Sequence, residues 1–356
     1  MSGDADLSAE NKQRIPFIDT AKGICILLVI IIHCELTEVH TPVLGMVRMP
    51  FYFTISGMFF KTYGGFFQFL IKKTNRLLVP FFFFYPISYF LYAIISKFFH
   101  QVIDIPVYSF LYSKILINYA LWFLAALFWA NIMFFVLIKL IHNRLLLWIA
   151  VLSISCMAFH YFDVNHQWPM FIDSACSFLP YFMFGYMLRR SAILYPNPID
   201  KYNIPLIAIL LGISLICFYA GHTPYINFCY MDVEGNPYCY ALGSLCAVTA
   251  LILLCKTIGN IPVVRYLGRY SIIPLCTHLI VYRITWATLE ILPFEFQTMT
   301  VNIIIFCNII LSSFILIPLL KRYIPKFTAQ EDLIPGDLPE AIRRRLPTGN
   351  PEQPAK

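Results

Sequence analysis

Lys22 and His33 stand eleven residues apart in the stretch Asp19–Cys34, DTAKGICILLVIIIHC, with only uncharged residues between them. On a helix such a pair shares one face and is separated by about 16 Å along the axis. Histidine is the side chain whose unperturbed pKa suits proton transfer near neutrality, and a lysine at the other end suits an anion. Asp19, three residues before Lys22, offers an ionic partner or a helix-start charge, and Glu35 follows His33 directly after the apolar run. Plainer roles exist for both: Lys22 can snorkel to an interface, and His33 can be a neutral histidine bonded across helices. Still, an ionisable group within an apolar span must be met by partners or a wet cavity, which makes it a functional candidate.

Further groups of this kind recur along the chain. Arg48 lies inside MVRMPFYFTISGMFF and requires a carboxylate, a cavity or a bound anion; the short intervening turn makes Glu35 the expected partner. In the same block Pro50 interrupts the hydrogen-bond ladder, and Ser56-Gly57 permits close helix approach. Lys72, Lys73 and Arg76 form a cationic cluster in FLIKKTNRLLVPFFFF, on an amphipathic segment expected over 66–77. Such a cluster either holds topology or binds the phosphates of a large anionic molecule. His278, in LGRYSIIPLCTHLIVYR, is a second histidine inside an apolar block, accompanied by Ser271, Pro274 and Thr277; catalysis and packing are both open to it. The eleven cysteines have no metal-ligand spacing and read as small buried hydrophobes, while Cys229 and Cys239 flank a loop where a disulfide is conceivable without further support.

The elements that must position these residues are membrane spans. Of the 356 residues 59% are hydrophobic and only 13% charged, against about a quarter charged in soluble domains. The apolar residues are gathered into ten long blocks, at 20–38, 44–60, 78–96, 119–138, 145–162, 171–188, 203–220, 238–255, 271–290 and 300–320. The expected fold is therefore all-α, a polytopic integral membrane protein of about ten transmembrane helices. With a cytoplasmic N-terminus, all of the 26 lysines and arginines except Arg48, Lys97, Lys114 and Arg283 fall on the inner side. This positive-inside pattern places both termini in the cytoplasm. The first block is too long for a cleavable signal sequence and is expected to remain as a span. The organisation expected is a cytoplasmic segment over 1–13, a transmembrane domain over 14–324 and a disordered cytoplasmic tail over 325–356, in which RRR at 343–345 can touch anionic lipid. No inverted repeat of the transporter kind is visible.

The motifs RIPFIDTAKGICILLVIIIHC, RMPFYFTISGMF, KKTNRLLVP, LWFL, FLPYFMFGYML and LGRYSIIPLCTH occur in this order over residues 14–320. Together they resemble the membrane-bound acyltransferase-3 family, which acetylates sugars of surface polysaccharides and includes fucose 4-O-acetylase-like proteins. The resemblance implies acetyl transfer from cytoplasmic acetyl-CoA to a hydroxyl of a cell-surface glycan or lipid-linked sugar, in a bacterial cytoplasmic membrane. It gives His33 the part of the base and Lys22 a part in donor handling. Arg14 matches the basic residue preceding the first helix, and Lys73-Thr74-Asn75-Arg76 stands where relatives have Arg-x-x-Arg. Two departures stand out. Arg48 occupies a position where relatives often have histidine, and it can clamp an anion or orient Glu35 but cannot act as a base. Lys73 lacks the bidentate fork of arginine.

The catalytic set expected is thus His33, Glu35, Arg48 and His278, with Arg14, Asp19, Lys22, Lys73 and Arg76 on the donor. No metal and no nucleic acid enter this reading; membrane lipids surround the protein, and polysaccharide-assembly proteins are conceivable partners because no soluble transferase domain is attached. Two other functions suit ten spans with buried charges: export of a glycan or lipid-linked sugar, and acyl transfer to a small metabolite or lipid.

Overall fold

The computed structural model describes residues 15–36, 42–100, 106–115, 117–163, 165–189, 191–222, 226–294 and 296–336. Arg14, Glu38 and the arginines at 343–345 lie outside these residues. Helix α1 spans Pro16–His33 and starts at a proline, whose missing N–H costs nothing in a first turn. Asp19 adds an anion to that turn, where the helix dipole favours it. The helix ends at His33 because Cys34 caps it and Glu35 takes a left-handed backbone (φ 49°). The sequence placed this span at 20–38, with His33 past its middle; the turn at Glu35 makes His33 the last helical residue instead.

Helix α2, Pro42–Met58, contains Arg48 and Pro50. The Thr54 hydroxyl donates to the Pro50 carbonyl (2.9 Å), part of how this helix meets its own backbone acceptors. Helix α3 (Phe66–Lys73), a π turn over Thr74–Leu78 and helix α4 (Val79–Phe98) form one continuous rod. This agrees with the amphipathic lead-in expected before the third span, and the π turn places Asn75 and Arg76. A 3-10 turn, Tyr119–Leu121, leads into α5, Trp122–Leu140. Helices α6 (Arg144–Tyr161), α7 (Ile172–Leu188), α8 (Asn203–Ala220) and α9 (Pro237–Ile258) follow. Asn143 and Asn236 cap α6 and α9 by accepting from two backbone N–H groups each. Between α8 and α9 a two-residue ladder pairs Ile226 with Val233 and Asn227 with Asp232. The bundle closes with short α10 (Pro262–Arg269), α11 (Ile272–Ile291) and α12 (Thr298–Tyr323).

Among the described residues nine helical segments are long and apolar enough to cross a membrane. With the 17-residue α2 the architecture is a polytopic all-α membrane protein of roughly ten spans. Apolar burial does little to hold such helices together in lipid, so close packing must. Where α1 meets α10, a methyl on Gly268 would collide with the Asp19 carbonyl and one on Gly23 with the Val264 carbonyl. Elsewhere the core is aromatic, with Phe53 stacked on Phe178 at 4.2 Å. Cys229 and Cys239 carry no disulfide.

Residues 325–336 depart from the expected tail. They run back over the π turn, with Phe327 stacked on Phe83 at 4.4 Å. Asn75 clamps this strap by accepting from the N–H groups of Leu333 (3.0 Å) and Ile334 (2.8 Å) and donating to the Ile334 carbonyl (2.8 Å).

Candidate functional site

At the end of α1, His33 is bonded through Nδ1 to the Tyr119 hydroxyl at 2.9 Å, the two rings meeting edge-on. The 3-10 turn before α5 carries Tyr119 there. That turn is pinned by Asn118, whose Nδ2 donates to Ser88 Oγ on α4 and to the Cys276 carbonyl on α11, both at 2.9 Å. On its other side the His33 ring stacks on His278 from α11, centroids 5.2 Å apart and planes 23° apart. His278 is 1% exposed. Its Nδ1 lies 2.8 Å from the Pro274 carbonyl, which can only accept, so Nδ1 carries the proton and Nε2 presents a lone pair. Nε2 has no hydrogen-bond partner among the described residues. Two imidazoles from opposite ends of the chain thus lie face to face.

Arg48 belongs to the same region and lies within coulombic reach of His33, Tyr119 and Tyr240. Its buried Nε has no hydrogen-bond partner among the described residues. The carboxylate expected beside it is elsewhere. No ion pair joins Glu35 to Arg48 among the described residues, since the left-handed turn at Glu35 leaves that residue exposed. The exposed Glu35 carboxylate lies within coulombic reach of Tyr119 and Tyr282, and its backbone carbonyl accepts from Asn302 Nδ2 at 3.5 Å.

Lys22 sits near the start of α1, 3.4 Å from Asp19, and its carbonyl accepts from the Tyr52 hydroxyl at 3.0 Å. Lys73 lies over the rings of Phe60 (6.0 Å) and Phe69 (5.6 Å). Lys72 pairs with Asp332 of the strap at 2.7 Å, and Arg76 reaches the other oxygen of that carboxylate at 3.9 Å while donating to the Ala329 carbonyl. The cluster expected to hold topology or bind phosphates therefore already faces an anion from its own chain. Arg14 is outside the described residues.

Two participants escaped the sequence reading. Tyr119 was embedded in an aromatic-rich stretch and one of 22 tyrosines. Asp332 lay in a polar segment 260 residues from its partner Lys72. Neither carries a local signal. Among the described residues no group of three or more His, Cys, Asp and Glu side chains could hold a metal ion.

The arrangement offers two stacked imidazoles with one defined lone pair, a half-buried arginine with a buried Nε within coulombic reach of His33, and cations near the start of α1 and on the π turn. It suits proton abstraction near a developing negative charge, with an anionic co-substrate bound apart from it. The comparison with curated proteins returns no match, and neither does that with solved structures. A family model described as an acyltransferase domain matches residues 15–322, and the chain belongs to this acyltransferase-3 family of membrane-embedded enzymes.

Proposed function

We propose that this membrane acyltransferase moves an acetyl group from cytoplasmic acetyl-CoA to a hydroxyl of a cell-surface glycan or lipid-linked sugar. The observation that carries the reading is the histidine pair at one end of α1 with Lys22 near the other. Lys22 and His33 are about 16 Å apart along the helix axis, a distance for an extended pantetheine arm to cover while the CoA head stays at the inner mouth. Lys22, Lys73 and Arg76 handle the phosphates, with Arg14 preceding the helix and Asp19 holding Lys22 in place. Because Asp332 faces Arg76, the phosphates must displace that carboxylate or share the cation with it.

In the reaction His33 donates Nδ1–H to the Tyr119 oxygen and takes the acceptor hydroxyl proton on Nε2. The acceptor oxygen bonds to the thioester carbonyl carbon, and the charge on the carbonyl oxygen is met by Arg48. The C–S bond then breaks and the CoA sulfur leaves with the proton from His33. His278 Nε2 accepts a hydrogen bond from the acceptor and orients it, and Glu35 stands at the mouth. The near-absence of basic residues outside the expected inner segments supports cytoplasmic termini, and the family suggests a bacterial cytoplasmic membrane.

The test is purified protein in lipid nanodiscs, supplied with labelled acetyl-CoA and a lipid-linked oligosaccharide. Label on the sugar is expected. Movement of the sugar across a liposome membrane without acetylation would instead establish the exporter, and label on a small metabolite or lipid alone would reassign the acceptor.

A further inference from the structure

Tyr63 lies in the turn between α2 and α3, in the sequence KTYGG, and the reaction above does not use it. Its side chain is 45% exposed, and its backbone takes the left-handed conformation (φ 50°). That conformation is costly for a residue with a bulky side chain, and glycine is the residue that adopts it freely. Two glycines follow at once, Gly65 with φ 140°, so the turn has residues suited to such a backbone and still carries a tyrosine at a strained position. Strain kept at an exposed ring points to a task for that ring.

The neighbours of the ring say which task. Tyr63 leans on Phe69, ring centroids 6.4 Å apart and planes at 42°. The same Phe69 ring carries Lys73 Nζ at 5.6 Å from its centre, and Tyr63 also lies within coulombic reach of Arg76 and Asp332. Among the described residues no ion pair engages Lys73. An aromatic face open to solvent thus stands near a cation that has no counter-ion and near a second cation that already faces a carboxylate. A tyrosine that only marks the membrane edge needs neither the strained turn nor the cations. A phosphate on Lys73 that carries a flat base beside it uses the cation and the open ring together.

We propose that Tyr63 is the platform on which the adenine ring of the donor stacks, with a phosphate of the CoA head on Lys73. The inference rests on the acetyl-CoA reading above, and it adds how the donor is selected. The nucleotide is recognised by its base, so a donor with the same pantetheine arm but no adenine, such as an acyl group on a carrier protein, lacks this contact. Stacking suits the site because a base offers a π face whatever its edge, and the ring needs no further polar group to meet it.

Binding is measured on the full-length protein in phosphatidylcholine nanodiscs without acceptor. The probes are adenosine 3′,5′-bisphosphate and ribose 3,5-bisphosphate, which carries the same phosphates without the base. The adenosine compound should bind about 5–100-fold more tightly, the range of one base stacked on one aromatic side chain, and acetyl-CoA should displace it. Tyr63→Phe keeps the ring and should keep the preference. Tyr63→Gly relieves the left-handed turn and should abolish the preference while binding of the base-free compound stays unchanged. Equal binding of the two compounds by the unaltered protein overturns the proposal, as does a preference that survives Tyr63→Gly or binding that acetyl-CoA does not displace. Loss of base-free binding in Tyr63→Gly as well would give the residue a structural part only and overturns it too. A preparation that transfers acetyl from acetyl-CoA without preferring the base defeats the platform and leaves the reaction standing. One that prefers the base and transfers no acetyl defeats the reaction and leaves the platform.

Discussion

A histidine becomes a directed base when one ring nitrogen is held and the other is left to the substrate. Tyr119 holds Nδ1 of His33 at 2.9 Å, and the Pro274 carbonyl holds Nδ1 of His278 at 2.8 Å, so both imidazoles are oriented through the same atom. Replacing His33 by Ala should lower kcat by about 10²–10⁴-fold, the usual contribution of a general base. Tyr119→Phe keeps the ring and removes one hydrogen bond, worth about 0.5–1.5 kcal/mol, and should lower kcat about 2–10-fold with the donor KM unchanged. An unchanged kcat in Tyr119→Phe, measured at saturating donor, would remove the tyrosine from the reaction. His33, His278, Lys22 and Arg48 were legible in the sequence because ionisable groups are costly in hydrocarbon. Tyr119 was not, since its polar atom sits on a ring type that membrane proteins use freely. The Glu35–Arg48 partnership failed for a local reason: one left-handed residue after the helix end redirects the chain.

At the scale of elements, α1 is held by contact between backbones. Gly268 faces the Asp19 carbonyl and Gly23 the Val264 carbonyl, which ties the first turns of α1 to α10. Gly268→Ala forces a methyl into that contact and should destabilise the protein by about 1–3 kcal/mol, read as a lowered thermal midpoint in detergent. The strap over the π turn is the second device. With Asp332 facing Lys72 and Arg76, Asp332→Asn should lower the KM for acetyl-CoA by up to about fivefold, the range of a partly exposed ion pair. A raised KM would mean that the carboxylate positions the cations for the donor and does not compete with it. The amphipathic lead-in and the third span were legible from composition and Pro80. The strap was not, because its polar sequence resembles a solvated tail and its anchor, Asn75, lies 258 residues from Leu333.

For the whole molecule, composition alone carried the fold class, since 59% hydrophobic residues in long blocks leave few alternatives to a helical membrane bundle. The block count held at roughly ten spans, and the edges moved where prolines and caps set them, as at Pro16 and Asn236. Basic residues predict that a tag at either terminus is protected from protease in intact spheroplasts and cleaved after lysis; cleavage in intact spheroplasts would invert the molecule and put the donor cations outside. Family membership fixes acyl transfer, and the account adds that the acceptor proton leaves through one imidazole at the end of α1. A single-turnover experiment tests this most directly: donor and acceptor prebound to His33→Ala protein in nanodiscs, its folding checked by an unchanged thermal midpoint, with transfer of labelled acetyl followed over time. The account predicts intact donor binding and transfer slowed at least about a hundredfold; transfer at the rate of the unaltered protein would contradict it.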